Sequence, residues 1–128
     1  MTVLLDTHAL LWAILSPETL SSKASSTIAD ERNTILVSTA SAWEIATKVR
    51  VGKLPGAEAF ERDFLDIIEI AGYNLLSIDV ESALRAGRLT SEHRDPFDCM
   101  LAAQALAKDI PIISLDAKLE SFGVRRIW

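Results

Sequence analysis

The stretch HRDPFDCMLAAQALAKDIPIIS, residues 93–114, decides the fold class. Over 96–108 its small and apolar residues recur at helical spacing, and 110–114 then reads as a short apolar strand. A helix that runs straight into a buried strand is half of a βαβ unit. The rest of the chain repeats the alternation. TVLL (2–5), TILVS (34–38) and NLLSI (74–78) read as further buried strands, and VRRIW (124–128) as a short terminal one. Helical patterns are expected at about 7–15, 21–30, 40–51, 57–71, 80–88 and 117–122. Gly52 with Pro55 and Gly56 ends one helix and turns toward the next. Strands separated by helices predict an α/β fold, a parallel sheet covered by helices on both faces.

With 128 residues, one domain spanning 1–128 is expected, large enough to bury a core without disulfides or metal staples. A hydrophobic share of 49% against 24% charged excludes a disordered chain. The lone cysteine, Cys99, excludes an intrachain disulfide and suits a reducing cytoplasm. A formal charge of −5 argues against simple nucleic-acid binding unless bound cations offset the local negative charge. The apolar start MTVLLDTHALLWAIL has no basic lead-in and is interrupted by Asp6 and His8, so a signal peptide is not expected. No stretch approaches the roughly 20 apolar residues of a membrane span. The expectation is a soluble, cytoplasmic protein.

In an open parallel sheet, functional sites collect beyond the carboxyl ends of the strands. A covering helix runs antiparallel to the strands, so its N-terminus lies at that same edge. Asp6 directly follows TVLL, Glu44 lies near the start of the helix leaving TILVS, Asp98 opens the 96–108 helix, and Asp116 comes two residues after IPIIS. All these acids fall on one edge.

Each also has a plain structural reading. Asp95 suits an N-cap with Pro96 at the first helical position, and Asp98 then faces the positive end of the helix dipole. Ser41 and Glu44 match a capping box, and Glu44 is also placed to pair with Lys48. Asp6, Asp79 and Asp116 are each suited to cap the helix that follows. Taken together, carboxylates crowded at a partly buried edge repel and lose stability unless a divalent cation is present. An all-oxygen set favours Mg²⁺ or Mn²⁺, whereas His8 and His93 are not spaced like a zinc pair. Such an ion lowers the pKa of a bound water and supports in-line attack, which points to phosphodiester hydrolysis. Lys48, Arg50 and Lys53 then either line a path for a nucleic-acid backbone or form a solvated helix end. His93 and Arg94 carry the same pair of readings.

The segments LLDTHALLW, STASAWEIATKVRVGKL, ALRAGRL, HRDPFDCMLAAQALA and IISLD, in this order, resemble the PIN-domain family, and within it the VapC-type toxins of bacterial type II toxin–antitoxin pairs. The resemblance runs from residue 3 to Trp128. It implies a three-layer α/β/α fold whose five-stranded parallel sheet has the order 3-2-1-4-5. It implies a Mg²⁺- or Mn²⁺-dependent endoribonuclease in which Asp6 and Asp98 hold the metal, Glu44 and Asp116 complete the acidic site, and Ser114 hydrogen-bonds within it. It further implies an RNA substrate, a small VapB-type antitoxin that wraps the toxin and obstructs its pocket, and a homodimer. Trp12, Trp43 and the apolar 57–71 segment are compatible with such contacts, with core packing as the default explanation. One departure stands out: many relatives carry arginine after DPFD, where this chain has Cys99, so no substrate contact is assigned to that position.

Two other readings compete. An aspartyl-phosphate phosphatase needs a second acid two residues after the strand-1 aspartate, a position held here by His8. A non-catalytic or degenerate PIN-like protein-binding module would use the acids only as helix caps.

Overall fold

The computed structural model describes residues 1–90 and 95–128. The reading of His93 and Arg94 lies outside the described residues. The strands are β1 (Thr2–Leu5), β2 (Thr34–Ser38), β3 (Asn74–Leu76), β4 (Ile112–Ile113) and β5 (Arg126–Ile127). The helices are α1 (Thr7–Leu15), α2 (Ser22–Ala29), α3 (Thr39–Arg50), α4 (Glu58–Arg62), α5 (Phe64–Ala71), α6 (Val80–Arg88) and α7 (Pro96–Lys108), with 3-10 turns at Pro17–Thr19 and Ala117–Phe122. Every strand pairing is parallel, and the order across the sheet is β3-β2-β1-β4-β5. The expected α/β fold and strand order are therefore observed.

Alternation along the strands builds the layers. Val3, Leu5, Ile35, Val37 and Ile113 point to one face and bury Leu10 of α1, Ile45 of α3, Phe60 of α4 and Ile68 of α5. Leu4 and Ile112 point to the other and meet Leu101, Ala102 and Ala105 of α7 with Leu119 and Phe122. α6 lies along the length of α7 on this second side. The result is helix, sheet, helix.

Local chemistry accounts for the ends of elements. Asp95 caps α7, accepting from Phe97 N–H at 2.9 Å and Asp98 N–H at 3.4 Å, with Pro96 opening the helix. The helix stops at Asp109, which takes a left-handed conformation at φ 52°. A short aspartate tolerates that region better than most residues, and Arg125 holds the Asp109 carbonyl at 2.7 Å. α5 ends on Gly72 at φ 77°, where the Tyr73 N–H closes back on the Ile68 carbonyl at 3.1 Å.

Two expectations need correcting. The 57–71 pattern is not one helix: Asp63 leaves helical geometry (φ −102°, ψ 21°) and separates α4 from α5. Apolar periodicity does not register such a break, and Phe60 and Phe64 still meet edge to face across it at 5.8 Å. The paired strands are also shorter than the apolar runs. Pro111 has no N–H to donate, so the β4 ladder begins after it, although its carbonyl accepts from Leu4 N–H at 3.0 Å. Among the described residues, no helix is long and apolar enough to cross a membrane.

Candidate active site

The site begins where β1 and β4 run out side by side. Leu5 pairs with Ile113, and the next residue, Asp6, donates its backbone N–H to the Ile113 carbonyl at 3.1 Å. This seam fixes Asp6 beside Ser114. The Asp6 side chain caps α1 through the Ala9 N–H at 2.7 Å and is only 6% exposed. Ser114, fully buried, hydrogen-bonds the Asp6 carboxylate and accepts the Asp116 N–H at 3.0 Å. Asp116 in turn caps the following 3-10 turn through the Lys118 N–H at 2.9 Å. One hydroxyl thus couples the strand-1 acid to the loop that carries the strand-4 acid.

From the other side, the N-terminal turn of α7 brings Asp98 close enough for its charge to act on Asp6. Burial is the main cause that pushes the Asp6 pKa up, to about 6. The hydrogen bonds from Ser114 and Ala9 and the nearby His8 pull it down, and the Asp98 carboxylate adds to the rise. Cys99, next along α7, packs against the second core, and burial followed by the Asp98 and Asp95 charges raises its thiol pKa. It is a packing residue rather than a nucleophile.

Glu44 sits differently from the capping-box expectation. β2 passes into α3 without a loop, so the cap is Ser38, which accepts the Ala40 N–H at 3.0 Å, and the helix starts at Thr39. Ser41 therefore lies inside the helix, and its hydroxyl meets the Thr7 hydroxyl at 2.9 Å, tying the start of α3 to the start of α1. Glu44 is 3% exposed and pairs with Lys48, the alternative expected from their spacing. Its other oxygen, Oε1, is buried with no hydrogen-bond partner. Arg50 and Lys53 are exposed at the far end of α3, roughly 15–18 Å along the axis from its start at 1.5 Å per residue. Asp79 caps α6 through the Ser82 N–H at 2.7 Å, apart from these acids.

Asp6, His8, Trp12, Leu115, Asp116 and Ala117 line a cleft of about 490 Å³. The structure brings together Asp6, Ser114 and Asp116, with Asp98 nearby, and leaves Glu44 off the cleft wall. Sequence reasoning passes over Thr7 and gives Ser41, His8 and Trp12 other places: a capping box, an imidazole not spaced for zinc, and a contact or core tryptophan. The four-residue spacing of His8 and Trp12 is the only sequence signal that pointed to a shared face.

The donor set suits a hard cation. Among the described residues, no three His, Cys, Asp or Glu side chains gather closely enough to hold an ion unaided. Mg²⁺ commonly keeps several waters and takes only one or two carboxylates, which matches Asp6 with Asp98. A cation here would also relieve a feature a bare site tolerates poorly, the raised Asp6 carboxyl.

Comparison with known proteins gives the family. A PIN domain family model matches residues 3–124. Ribonuclease VapC16 of Mycobacterium tuberculosis (strain ATCC 25618 / H37Rv) is 46% identical over 52 residues, covering 41% of this chain and 37% of that protein. The chain thus matches well under half the length of this relative. Among solved structures, VapBC2 from Rickettsia felis, bound to a promoter DNA fragment, superposes with a TM-score of 0.70 at 17% identity, over 98% of this chain and 97% of that one. VapBC-5 of Mycobacterium tuberculosis gives a TM-score of 0.65 at 17% identity, over 98% and 96%. These structures share the fold, and the match over residues 3–124 makes this chain a member of the PIN-domain family.

Proposed function

We propose that this chain is a Mg²⁺- or Mn²⁺-dependent endoribonuclease and the toxin of a type II toxin–antitoxin pair, with residues 1–128 working as one PIN unit. The observation that carries the reading is Asp6: buried, held by the Ala9 N–H and the Ser114 hydroxyl, and set against a second carboxylate, Asp98. A helix cap needs neither burial nor a neighbouring acid. Asp6 and Asp98 are the residues to hold the ion, with Asp116 and Glu44 completing the acidic site directly or through waters. When bound, the ion supplies a water of lowered pKa and offsets charge on the phosphate. Ser114 keeps the Asp6 carboxylate oriented, and the seam between β1 and β4 keeps it from turning away.

The relatives support the biological setting: one is named a ribonuclease, and the solved neighbours are VapBC toxin–antitoxin structures. We accordingly assign RNA as substrate, a small VapB-type antitoxin as partner, a homodimer as the assembly and the cytoplasm as the location. Lys48, Arg50 and Lys53 are assigned to the RNA backbone, with Lys48 also neutralising Glu44.

A second reading is favoured by one observation: Asp6 and Asp116 do accept capping bonds, at 2.7 and 2.9 Å. One experiment separates the two. Purified wild type and Asp98→Asn are incubated with RNA and Mg²⁺ or Mn²⁺, with and without EDTA, and the RNA ends are sequenced after brief expression of each. Cleavage that needs metal and Asp98 supports the ribonuclease. Full activity and toxicity of Asp98→Asn would sink the site assignment, and failure of either ion to bind or stabilise the protein would favour the cap-only module.

A further inference from the structure

The acidic cleft has an aromatic wall that the hydrolytic chemistry does not use. His8 and Trp12 sit one turn apart on α1, with ring centroids 5.6 Å apart and planes at 40°. Trp128 backs Trp12 from the other side, at 5.7 Å and 57°. Core packing explains the Trp12–Trp128 contact. It does not explain an exposed imidazole on the open side of Trp12, nor Leu115, 53% exposed on the rim of the same cleft. The cleft also contains Asp6 and Asp116, so the apolar and aromatic surface lies within one nucleotide of the acids.

We propose that His8 and Trp12 form a base-stacking subsite for a nucleotide next to the scissile phosphate of single-stranded RNA, with Leu115 bounding its other side. The proposal rests on the ribonuclease reading above and adds how that site grips its substrate. With only Lys48, Arg50 and Lys53 assigned to the backbone in a chain of formal charge −5, counterion release has few phosphate contacts to draw on. Stacking is independent of charge and open to every base, because each base has a π-face. It also requires an unpaired base, since bases inside an A-form duplex are already stacked and inaccessible. The cleft volume of about 490 Å³ falls in the range of small-ligand pockets, enough to receive a nucleoside.

The test uses short single-stranded oligoribonucleotides, some carrying one abasic position near the cut, with wild type, His8→Ala, Trp12→Leu and Trp12→Phe. Stacking measured by substitution predicts that His8→Ala and Trp12→Leu each raise KM about tenfold, within a range of roughly 5- to 150-fold, and that Trp12→Leu, which removes no charge near Asp6, leaves kcat nearly unchanged. Trp12→Phe recovers most of the loss. One abasic position costs wild type a similar factor and costs the two variants no more, and the factor stays constant as salt is raised, unlike a phosphate contact. Multiplying penalties at every position, or an unchanged KM in His8→Ala, overturns the subsite. His8 is exposed, so its alanine variant folds and decides the matter even where Trp12→Leu does not. A wild type that cuts RNA without regard to abasic positions defeats the subsite alone, whereas a wild type that cuts no RNA with either ion defeats the ribonuclease reading itself.

Discussion

Ser114 is hydrogen-bonded to Asp6 across the seam of β1 and β4, and the same hydroxyl accepts the Asp116 N–H at 3.0 Å. The bond to Asp6 favours its charged form. Ser114→Ala removes that support, so the Asp6 carboxyl titrates still higher and the acid limb of the cleavage profile moves to higher pH. Loss of a buried hydrogen bond also destabilises the fold by about 1–3 kcal/mol. A pH–rate profile and urea unfolding check both parts, and an unmoved acid limb would remove Ser114 from the site.

Asp98→Asn keeps the size and the helix start, because Asp95 rather than Asp98 is the cap. With one ligand charge gone, cleavage should fall at least about a hundredfold, equivalent to roughly 3 kcal/mol of transition-state stabilisation. Thermal unfolding in EDTA should show a folded, cooperative protein, because the Asp95 cap is retained. Single-turnover cleavage and calorimetry give the comparison.

The Asp6 carboxyl has a folded pKa of about 6 against an ordinary 3.8. A raised carboxyl binds its proton more tightly in the folded state, so the metal-free protein loses stability as pH climbs from about 4 to about 6. The loss attributable to this group is at most about 3 kcal/mol. Subtracting the profile of Asp6→Asn from that of wild type isolates it, and saturating Mg²⁺ should recover the loss in wild type alone. A difference that is flat over this window would show that Asp6 is not held neutral.

Glu44 and Lys48 are an unequal pair: Glu44 is buried, while the Lys48 side chain is 26% exposed. Lys48→Ala leaves a buried carboxylate uncompensated, whereas Glu44→Gln leaves only a partly exposed ammonium. Unfolding midpoints in metal-free buffer should therefore drop further for Lys48→Ala, by about 1–3 kcal/mol once solvent screening is allowed for. Mg²⁺ should narrow the gap if Glu44 helps to hold the ion. Equal losses for the two variants would place Glu44 in a wetter setting than the structure gives it.

Much of this protein is written in short-range pattern. Apolar strand runs alternating with helical spacing announce the parallel sheet, and Asp95-Pro96 announces the start of α7, because capping and periodicity depend on residues only a few positions apart. Asp6, Glu44, Asp98 and Asp116 could be set on one edge for the same reason: strand direction alone puts them there. The break at Asp63, the cap at Ser38 instead of Ser41, and the shortened β4 depend on finer local geometry than apolar spacing carries. The tertiary structure alone decided the rest. The bond from Ser114 to Asp6, the burial that raises Asp6 and the contact of Trp12 with Trp128 join segments as far apart as residues 6 and 114 or 12 and 128. Sequence determines which side chains reach the edge of the sheet, because that follows from direction and period. Packing decides which of them touch, because desolvation and hydrogen-bond geometry exist only once the β1–β4 seam has closed.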